Sequence, residues 1–267
     1  ELCHRIIENE KKEIVLAESF RNLIFSPENR EGYASSLERA GFNKNSDYKI
    51  VAANITDCGR HCESKVGSTG YSFIRKTFRK LSKSMCMFIQ DGRLIAIVQN
   101  ASEKETEMFF SSVKNITAQI PDINIVTGIS DVHQGYAGVP ECYREAVSAL
   151  CVSHIKKTGI MKYEDIGIYK LLLGIENKQL LKNYVYENLG KLSEHDRLHG
   201  TDYESTLRIY LENGGSVQSA AQQTGVHRNT VNYKMKMIRE ILNVELSDEE
   251  RTNLRLAFCA QDILNVK

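Results

Sequence analysis

Between residues 215 and 238 the chain reads GSVQSAAQQTGVHRNTVNYKMKMI, which contains two helical patterns separated by one glycine. We expect the helices to cover Val217–Thr224 and Arg228–Leu242. Gly225 supplies the tight turn between them, because a glycine enters the left-handed conformation without steric cost. Two short helices joined in this way predict a helix-turn-helix.

The apolar residues of this stretch predict how the two helices pack. Ala220 and Ala221 are small enough to let the second helix cross closely, and Val226 is expected to fill the space between the helices. The second helix carries apolar residues at spacings of four, three and four, which predicts one buried face. This apolar stripe consists of Val231, Met235, Ile238 and Leu242.

Polar and basic residues occupy the other side of the second helix, mainly near its N-terminal end. Asn can pair with adenine and Arg with guanine through two hydrogen bonds, while Lys and Tyr can hold phosphates. Recognition helices contact base edges with their first turns, where these residues lie. The sequence therefore predicts that double-stranded DNA is contacted by Ser216, His227, Arg228, Asn229, Thr230, Asn232, Tyr233, Lys234 and Lys236.

Any affinity for DNA must come from a local patch, because the chain as a whole is nearly neutral. It has 35 Lys and Arg against 34 Asp and Glu, and residues 178–267 have as many acidic as basic residues. Arg228–Arg239, in contrast, contains basic residues and no acid. We therefore expect modest affinity from one copy and binding as a homodimer or higher oligomer. The alternative is a helical hairpin that packs against a protein partner.

The region before the helix-turn-helix divides into two parts with different patterns. Strand and helix signals alternate from about residue 48 to residue 153, with strands expected at 48–55, 85–89, 94–98 and 123–129 and helices at 71–81, 103–119 and 140–151. This order predicts one antiparallel or mixed sheet covered on one face, a ferredoxin-like or cyclase-like α+β domain. From Asp165 onward only helical signals follow.

The helical part carries recognisable helix ends. Thr201–Glu204 and Ser247–Glu250 have the spacing of capping boxes, and Gly214 and Gly215 suit a helix end. We predict an α+β fold class in which an α+β domain precedes an all-α domain. The expected domains are an N-terminal helical linker or dimerisation segment at 1–42, the α+β domain at 43–157, and a helical DNA-binding domain at 158–267 with the helix-turn-helix at 217–242.

These residues also resemble a known family. His227–Lys234 is similar to the helix-turn-helix of PucR/CdaR-type bacterial transcription regulators, and the resemblance continues through 163–172, 188–192, Asp196, 206–211 and 238–242. Residues 43–155 resemble the degenerate GGDEF-like middle domain of that family, most clearly at Thr127–Ser130 and Tyr143–Leu150. The resemblance implies a DNA-binding C-terminal domain and a variable N-terminal sensor that we expect to lie outside this chain. Control of the middle domain by a small-molecule effector is a separate expectation. The two-helix unit is also similar to that of Fis-type proteins, which have a Lys at the position of Lys234.

The α+β domain is expected to be catalytically inactive. An active nucleotide cyclase needs several carboxylates to hold two metal ions, and the hairpin Ile89–Leu94 offers one acid. Asp91 and Gly92 are therefore expected to form a turn. Two other classes of protein remain open at this point: a nucleotide-binding or cyclase-like enzyme, and a protein-interaction scaffold.

Other motifs favour ordinary structural roles. Cys58, His61 and Cys62 lack a second ligand pair at zinc spacing, so loop thiols are favoured over metal or redox chemistry. A basic helix face at Arg75–Lys83 is expected to be solvated, His133–Gly138 to be a connecting loop, and Cys86 to be buried in a strand. The sequence indicates no cofactor, metal site or catalytic residue. The 7 scattered cysteines and the lack of an apolar run of about 20 residues favour a cytoplasmic protein without membrane contact.

Overall fold

The computed structural model describes residues 2–26, 30–57, 84–119 and 123–266. The chain divides into two compact units, Glu1–Lys170 and Leu171–Lys267. The first is an α+β unit and the second is helical, which confirms the predicted fold class. Within the described residues, no helix is both long enough and apolar enough to cross a membrane.

The α+β unit is built on a sheet with β1 at its centre. Its described elements are α1 (Leu2–Phe25), α2 (Arg30–Arg39), β1 (Asp47–Asp57), β2 (Met85–Gln90), β3 (Arg93–Gln99), α3 (Glu103–Gln119), β4 (Ile123–Ile129), β5 (His133–Gln134), α4 (Gly135–Lys156), β6 (Ile160–Lys162) and a 3-10 turn (Tyr163–Ile166). The strands lie in the order β2-β3-β1-β4-β6, and β5 pairs with β1. β1 is antiparallel to β3, β4 and β5, whereas β4 and β6 are parallel. The mixed sheet is as predicted.

The core of this unit joins the sheet to α1 and α4. Phe20 and Leu23 of α1 are fully buried in one core with Tyr48 and Ile50 of β1, so part of the segment predicted as a linker or dimerisation segment belongs to the core. On the α4 side, Gly128 of β4 marks the closest approach. A Cβ at this position would lie 2.1 Å from the backbone nitrogen of Leu150. The sheet and α4 therefore meet backbone to backbone.

The structure corrects the expected start of α4. The helix begins at Gly135 rather than Pro140, so Pro140 lies inside it, and part of the loop expected at 133–138 is helix. The first turn is held by tertiary contacts: Tyr136 is buried and its hydroxyl donates to the Phe42 carbonyl at 2.8 Å. Pro140 removes only one hydrogen bond of the helix, and the tertiary contacts of the first turn compensate for that loss.

His154 of α4 makes the stability of the α+β unit depend on pH. The Asn54 amide donates to Nε2 of His154 at 2.8 Å, which requires that nitrogen to be unprotonated. Burial, with a further contribution from Arg93, lowers the pKa of His154 below its usual value of about 6.5. As the pH falls below about 6.5, His154 becomes protonated in the unfolded chain but stays neutral in the folded chain.

We therefore expect the free energy of unfolding to decrease with falling pH from about 6.5 down through the folded pKa of His154. Urea unfolding of the wild-type chain and of His154→Gln at a series of pH values measures this, since glutamine can still accept from Asn54. The variant should show a shallower decrease between about pH 7 and about pH 5. Equal slopes for both chains would refute the assignment.

The helical unit consists of α6 (Lys178–His199), α7 (Tyr203–Glu212), α8 (Val217–Thr224), α9 (Arg228–Leu242) and α10 (Asp248–Asn265), and α5 (Tyr169–Leu173) spans the division between the units. The capping box at Ser247–Glu250 is confirmed. The one expected at Thr201–Glu204 is wrong: the Asp196 carboxylate accepts from the backbone N–H of Tyr203 and Glu204, at 3.0 and 2.8 Å. A carboxylate of α6 thus caps α7.

Candidate nucleic-acid interface

The helix-turn-helix is formed by α8 and α9, whose ends are fixed by local hydrogen bonds. The Ser216 hydroxyl accepts from the Ser219 N–H at the start of α8. Gly225 ends that helix in the left-handed conformation, with φ of +69°. Nδ1 of His227 accepts from the Asn229 N–H at 3.2 Å and so caps α9. Two of the expected DNA-contacting residues, Ser216 and His227, are therefore helix caps.

The inner face of α9 is buried as the apolar spacing predicted. Val231, Met235 and Ile238 are each at most 1% exposed and pack in one core with Ala220 and Ala221, while Leu242 is partly buried. Val226 does not fill the space between the helices: it is 38% exposed at the turn. The small residues of α8 already allow a close crossing, so no side chain from the turn is needed there. The core holds α9 in one orientation.

The outer face of α9 is exposed over its N-terminal half. The exposed side chains there are those of Arg228, Asn229, Thr230, Asn232, Tyr233 and Lys236. The first turn contains no acidic residue, so the positive end of the helix dipole is not neutralised within the helix. This surface presents hydrogen-bond donors and positive potential together, the combination that suits a base edge flanked by phosphates.

Lys236 makes only a long ion pair on α9, 3.9 Å from Glu240, whereas Lys234 is held much more closely. Its Nζ lies 2.5 and 2.7 Å from the two carboxylate oxygens of Asp202, and its side chain is only 19% exposed. Arg239 is also partly covered. Of the four basic residues between 228 and 239, only Arg228 and Lys236 lie on the exposed face. The basic patch is therefore smaller than the sequence suggested.

Two glutamines of α8 were missed by the sequence reasoning. Gln218 and Gln222 are exposed and lie four residues apart, so they share one face of the first helix. Their spacing in the sequence was the available signal. The sequence also did not predict the ion pair of Asp202 with Lys234 or the hydrogen bonds of Asp196 to the backbone of α7, because these partners are distant in sequence or belong to the backbone.

The hairpin turn at Asp91 and Gly92 and the cysteines of the described residues show structural roles only. Asp91 and Gly92 form the turn between β2 and β3 with φ of +51° and +75°, as predicted. Cys86 is buried in β2, also as predicted. Burial raises the pKa of the Cys142 thiol to about 11, so that thiol is unreactive. The Cys58–Cys62 motif, the helix predicted at 71–81 and the basic face predicted at Arg75–Lys83 lie outside the described residues.

Comparison with known proteins identifies both domains. The PucR C-terminal helix-turn-helix domain matches residues 203–260, and the GGDEF-like domain matches residues 26–152. Three Bacillus subtilis proteins are similar. The proline-responsive transcriptional activator PutR is 32% identical over 46% of this chain and 31% of its own length. The purine catabolism regulatory protein is 28% identical over 67% of this chain and 35% of its own.

The third is the DNA-binding transcriptional activator AdeR, which is 26% identical over 49% of this chain and 31% of its own. The chain thus spans about a third of the length of the curated relatives it matches.

Proposed function

The chain belongs to the PucR family, since it combines the GGDEF-like domain with the PucR-type helix-turn-helix domain, and from this we propose that it is a sequence-specific DNA-binding transcription regulator. The observation that carries the proposal is the outer face of α9, which is polar, exposed and held rigidly by a buried inner face. We further propose that the protein acts in the cytoplasm.

The residues of the α9 surface other than Thr230 each have a proposed role. Arg228, Asn229 and Asn232 hydrogen-bond to base edges in the major groove, while Tyr233 and Lys236 contact phosphates. Thr230 lies beside them on the first turn. Ser216 and His227 orient the two helix N-termini, whose backbone amides then face phosphates. Lys234 supports the site indirectly, because its ion pair with Asp202 ties α9 to the start of α7.

Two copies are needed for tight binding. One copy exposes only Arg228 and Lys236 among the basic residues at 228–239, so it neutralises few phosphates. A homodimer or higher oligomer places two α9 helices in successive major grooves, about 34 Å apart, and the operator is then palindromic or directly repeated. We propose that the GGDEF-like unit contributes to this assembly or receives an effector. PutR is named as proline-responsive, and a small metabolite is the kind of effector we propose.

We also propose that the GGDEF-like unit is not an enzyme. The carboxylate of Asp91 accepts from the Gln90 side chain at 3.2 Å within the hairpin turn. Incubation of the full chain with nucleoside triphosphates and Mg²⁺ or Mn²⁺ tests this, with no turnover expected. Measurable turnover would favour the cyclase-like alternative.

Phosphate binding by Lys236 predicts a specific salt dependence. On random-sequence duplex DNA, the logarithm of the affinity should fall linearly with the logarithm of salt concentration between about 50 and about 200 mM. Lys236→Ala should weaken binding evenly across sequences and reduce the slope by about one for each bound copy. Fluorescence anisotropy of a labelled duplex measures both quantities.

The matched control is Lys104→Ala, which removes an exposed lysine of α3 in the other unit and should leave the slope unchanged. Binding that does not respond to salt, or no binding of the wild-type chain at about 50 mM, would argue for the protein-interaction scaffold instead.

A further inference from the structure

One face of α6 is exposed and partly apolar. Leu189 and Leu192 of this helix are fully buried in the core of the helical unit, whereas Tyr186 on the other side is 76% exposed. A groove of about 490 Å³ runs along this face beside Leu264 of α10. Its other lining residues include Lys182, Tyr186, Gly190, Glu194 and Arg197. All of these residues belong to the helical unit.

Gly190 gives this face an unusual surface. A glycine is the least favourable residue, apart from proline, in the interior of a helix. A Cβ at position 190 would lie 2.9 Å from Cδ2 of Tyr186 and 3.2 Å from Cε2, so the aromatic ring lies directly over the bare backbone. The bare backbone at Gly190 forms a seat for the ring, that is, a surface on which the Tyr186 ring rests. The ring nevertheless stays mostly exposed and contributes little to the core. Tyrosine is one of the residues enriched at the energetic centres of protein interfaces.

The order of side chains along α6 is complementary to itself when reversed. Tyr186 and Gly190 lie two residues on either side of position 188. Lys182 and Glu194 are equally far from position 188 in the sequence, and so are Asn183 and Ser193. If two copies pack antiparallel about a twofold axis near position 188, Tyr186 of each lies against Gly190 of the other.

The same arrangement brings opposite charges together at both ends. Lys182 and Asn183 of one copy then lie against Ser193 and Glu194 of the other. Each dimer gains two ammonium–carboxylate contacts in this way, beside the exposed 3.6 Å ion pair that Glu194 makes with Arg197 of its own helix. Parallel packing would instead bring Lys182 beside Lys182 and Glu194 beside Glu194, and like charges oppose association. The charge order therefore selects the antiparallel arrangement.

We propose that this α6 face, centred on Tyr186 and Gly190, is a docking surface for a second copy of this chain, packed antiparallel. The inference deepens the proposed function, on which it rests, because it names the surface that pairs two DNA-reading helices. Rigid, self-complementary pairing would set the distance between the two copies of α9 and hence the spacing of the half-sites.

Charge exchange tests the proposal in the full chain. Sedimentation velocity over a range of concentrations should show a dimer for the wild-type chain. Lys182→Glu and Glu194→Lys should each raise the dimer dissociation constant at least about tenfold, since every pair then carries like charges. The double variant K182E/E194K should restore it to within about threefold, because each pair again joins opposite charges.

Two further variants separate pairing from folding. Gly190→Ala removes the seat of Tyr186 and should weaken the dimer while the thermal stability of the monomer stays the same or rises, since alanine favours the helix. The matched controls Lys191→Glu and Leu198→Ser alter exposed residues of α6 outside the proposed face and should leave the dimer unchanged.

The proposal is overturned if the wild-type chain stays monomeric, if the single charge variants dimerise normally, or if the double variant fails to recover. Binding to random-sequence duplex DNA, measured on the same samples, keeps the two proposals apart. A monomer that binds DNA refutes this docking surface alone, whereas a dimer with the expected charge response that never binds DNA refutes the proposed function alone.

Discussion

Replacing Arg228 or Asn229 with alanine should strongly weaken sequence-specific DNA binding while leaving the fold intact. Each side chain is proposed to make a base contact that contributes about 1–3 kcal/mol. A dimer loses that contact at both half-sites, so the loss is about 2–6 kcal/mol, or roughly 30-fold to 10⁴-fold in affinity. Binding to unrelated sequences should fall much less, because it depends on phosphates.

The structure indicates why these variants should still fold. Both side chains are exposed, and the hydrogen bond that caps α9 uses the backbone N–H of Asn229 rather than its side chain. Mobility shift on a sequence selected by the wild-type chain measures the effect, and thermal unfolding checks the fold. Lys178→Ala removes an exposed charge from α6 and serves as the control. Unchanged affinity in the Arg228 and Asn229 variants would show that α9 is not the reading helix.

The second large effect is expected at Gly128, where the sheet meets α4. A Cβ there would lie 2.1 Å from the Leu150 nitrogen and 2.2 Å from the Ala146 carbonyl oxygen. Both are backbone atoms of a helix, so no side-chain rotation relieves the clash, and α4 must move away from β4. Gly128→Ala should therefore destabilise the α+β unit by at least about 3 kcal/mol, at or above the upper end of ordinary overpacking.

Urea unfolding followed by circular dichroism measures this loss. Asn124→Ala, at an exposed position of the same strand, is the matched control and should change the free energy of unfolding by no more than about 0.5 kcal/mol. A Gly128→Ala variant as stable as that control would mean that α4 does not pack on β4 as described.

The sequence predicted the helix-turn-helix well because its signals are local. The apolar spacing of α9, the small residues of α8 and the glycine between them together specify both helices, and α8 and α9 begin and end at the predicted residues. The buried face of α9 followed from the same periodicity. The exposed face followed from it too, because the residues outside the apolar stripe must face solvent, and most candidate contact residues lie there.

The errors in the helical unit come from long-range partners. The sequence predicts a DNA contact at Lys234 because its charge is visible there, but Asp202, which pairs with it, lies 32 residues away. The sequence predicts a cap of α7 at Thr201. In the structure the first amides of α7, those of Tyr203 and Glu204, donate instead to the Asp196 carboxylate of the preceding helix. Val226 was expected inside because it is apolar, yet the turn leaves it outside.

In the α+β unit the order of elements was predictable, but their packing was not. Short apolar runs bounded by turn residues predicted β1 to β4, whereas the central place of β1 depends on pairings between distant strands. Gly128 carried no signal as a point of close approach, since only the position of α4 makes it one. The early start of α4 likewise follows from the buried Tyr136 ring rather than from local helix signals.

The central claim is that paired copies of α9 recognise DNA sequence, and selection from a random duplex library tests it most directly. The full chain is incubated with random duplexes of about 40 base pairs, and the bound DNA is amplified and sequenced over several rounds. We predict enrichment of two half-sites whose centres lie about 10 base pairs apart, or a multiple of that, and loss of the enrichment with Arg228→Ala. Absence of any enriched sequence, or the same enriched sequence with Arg228→Ala, would contradict the claim.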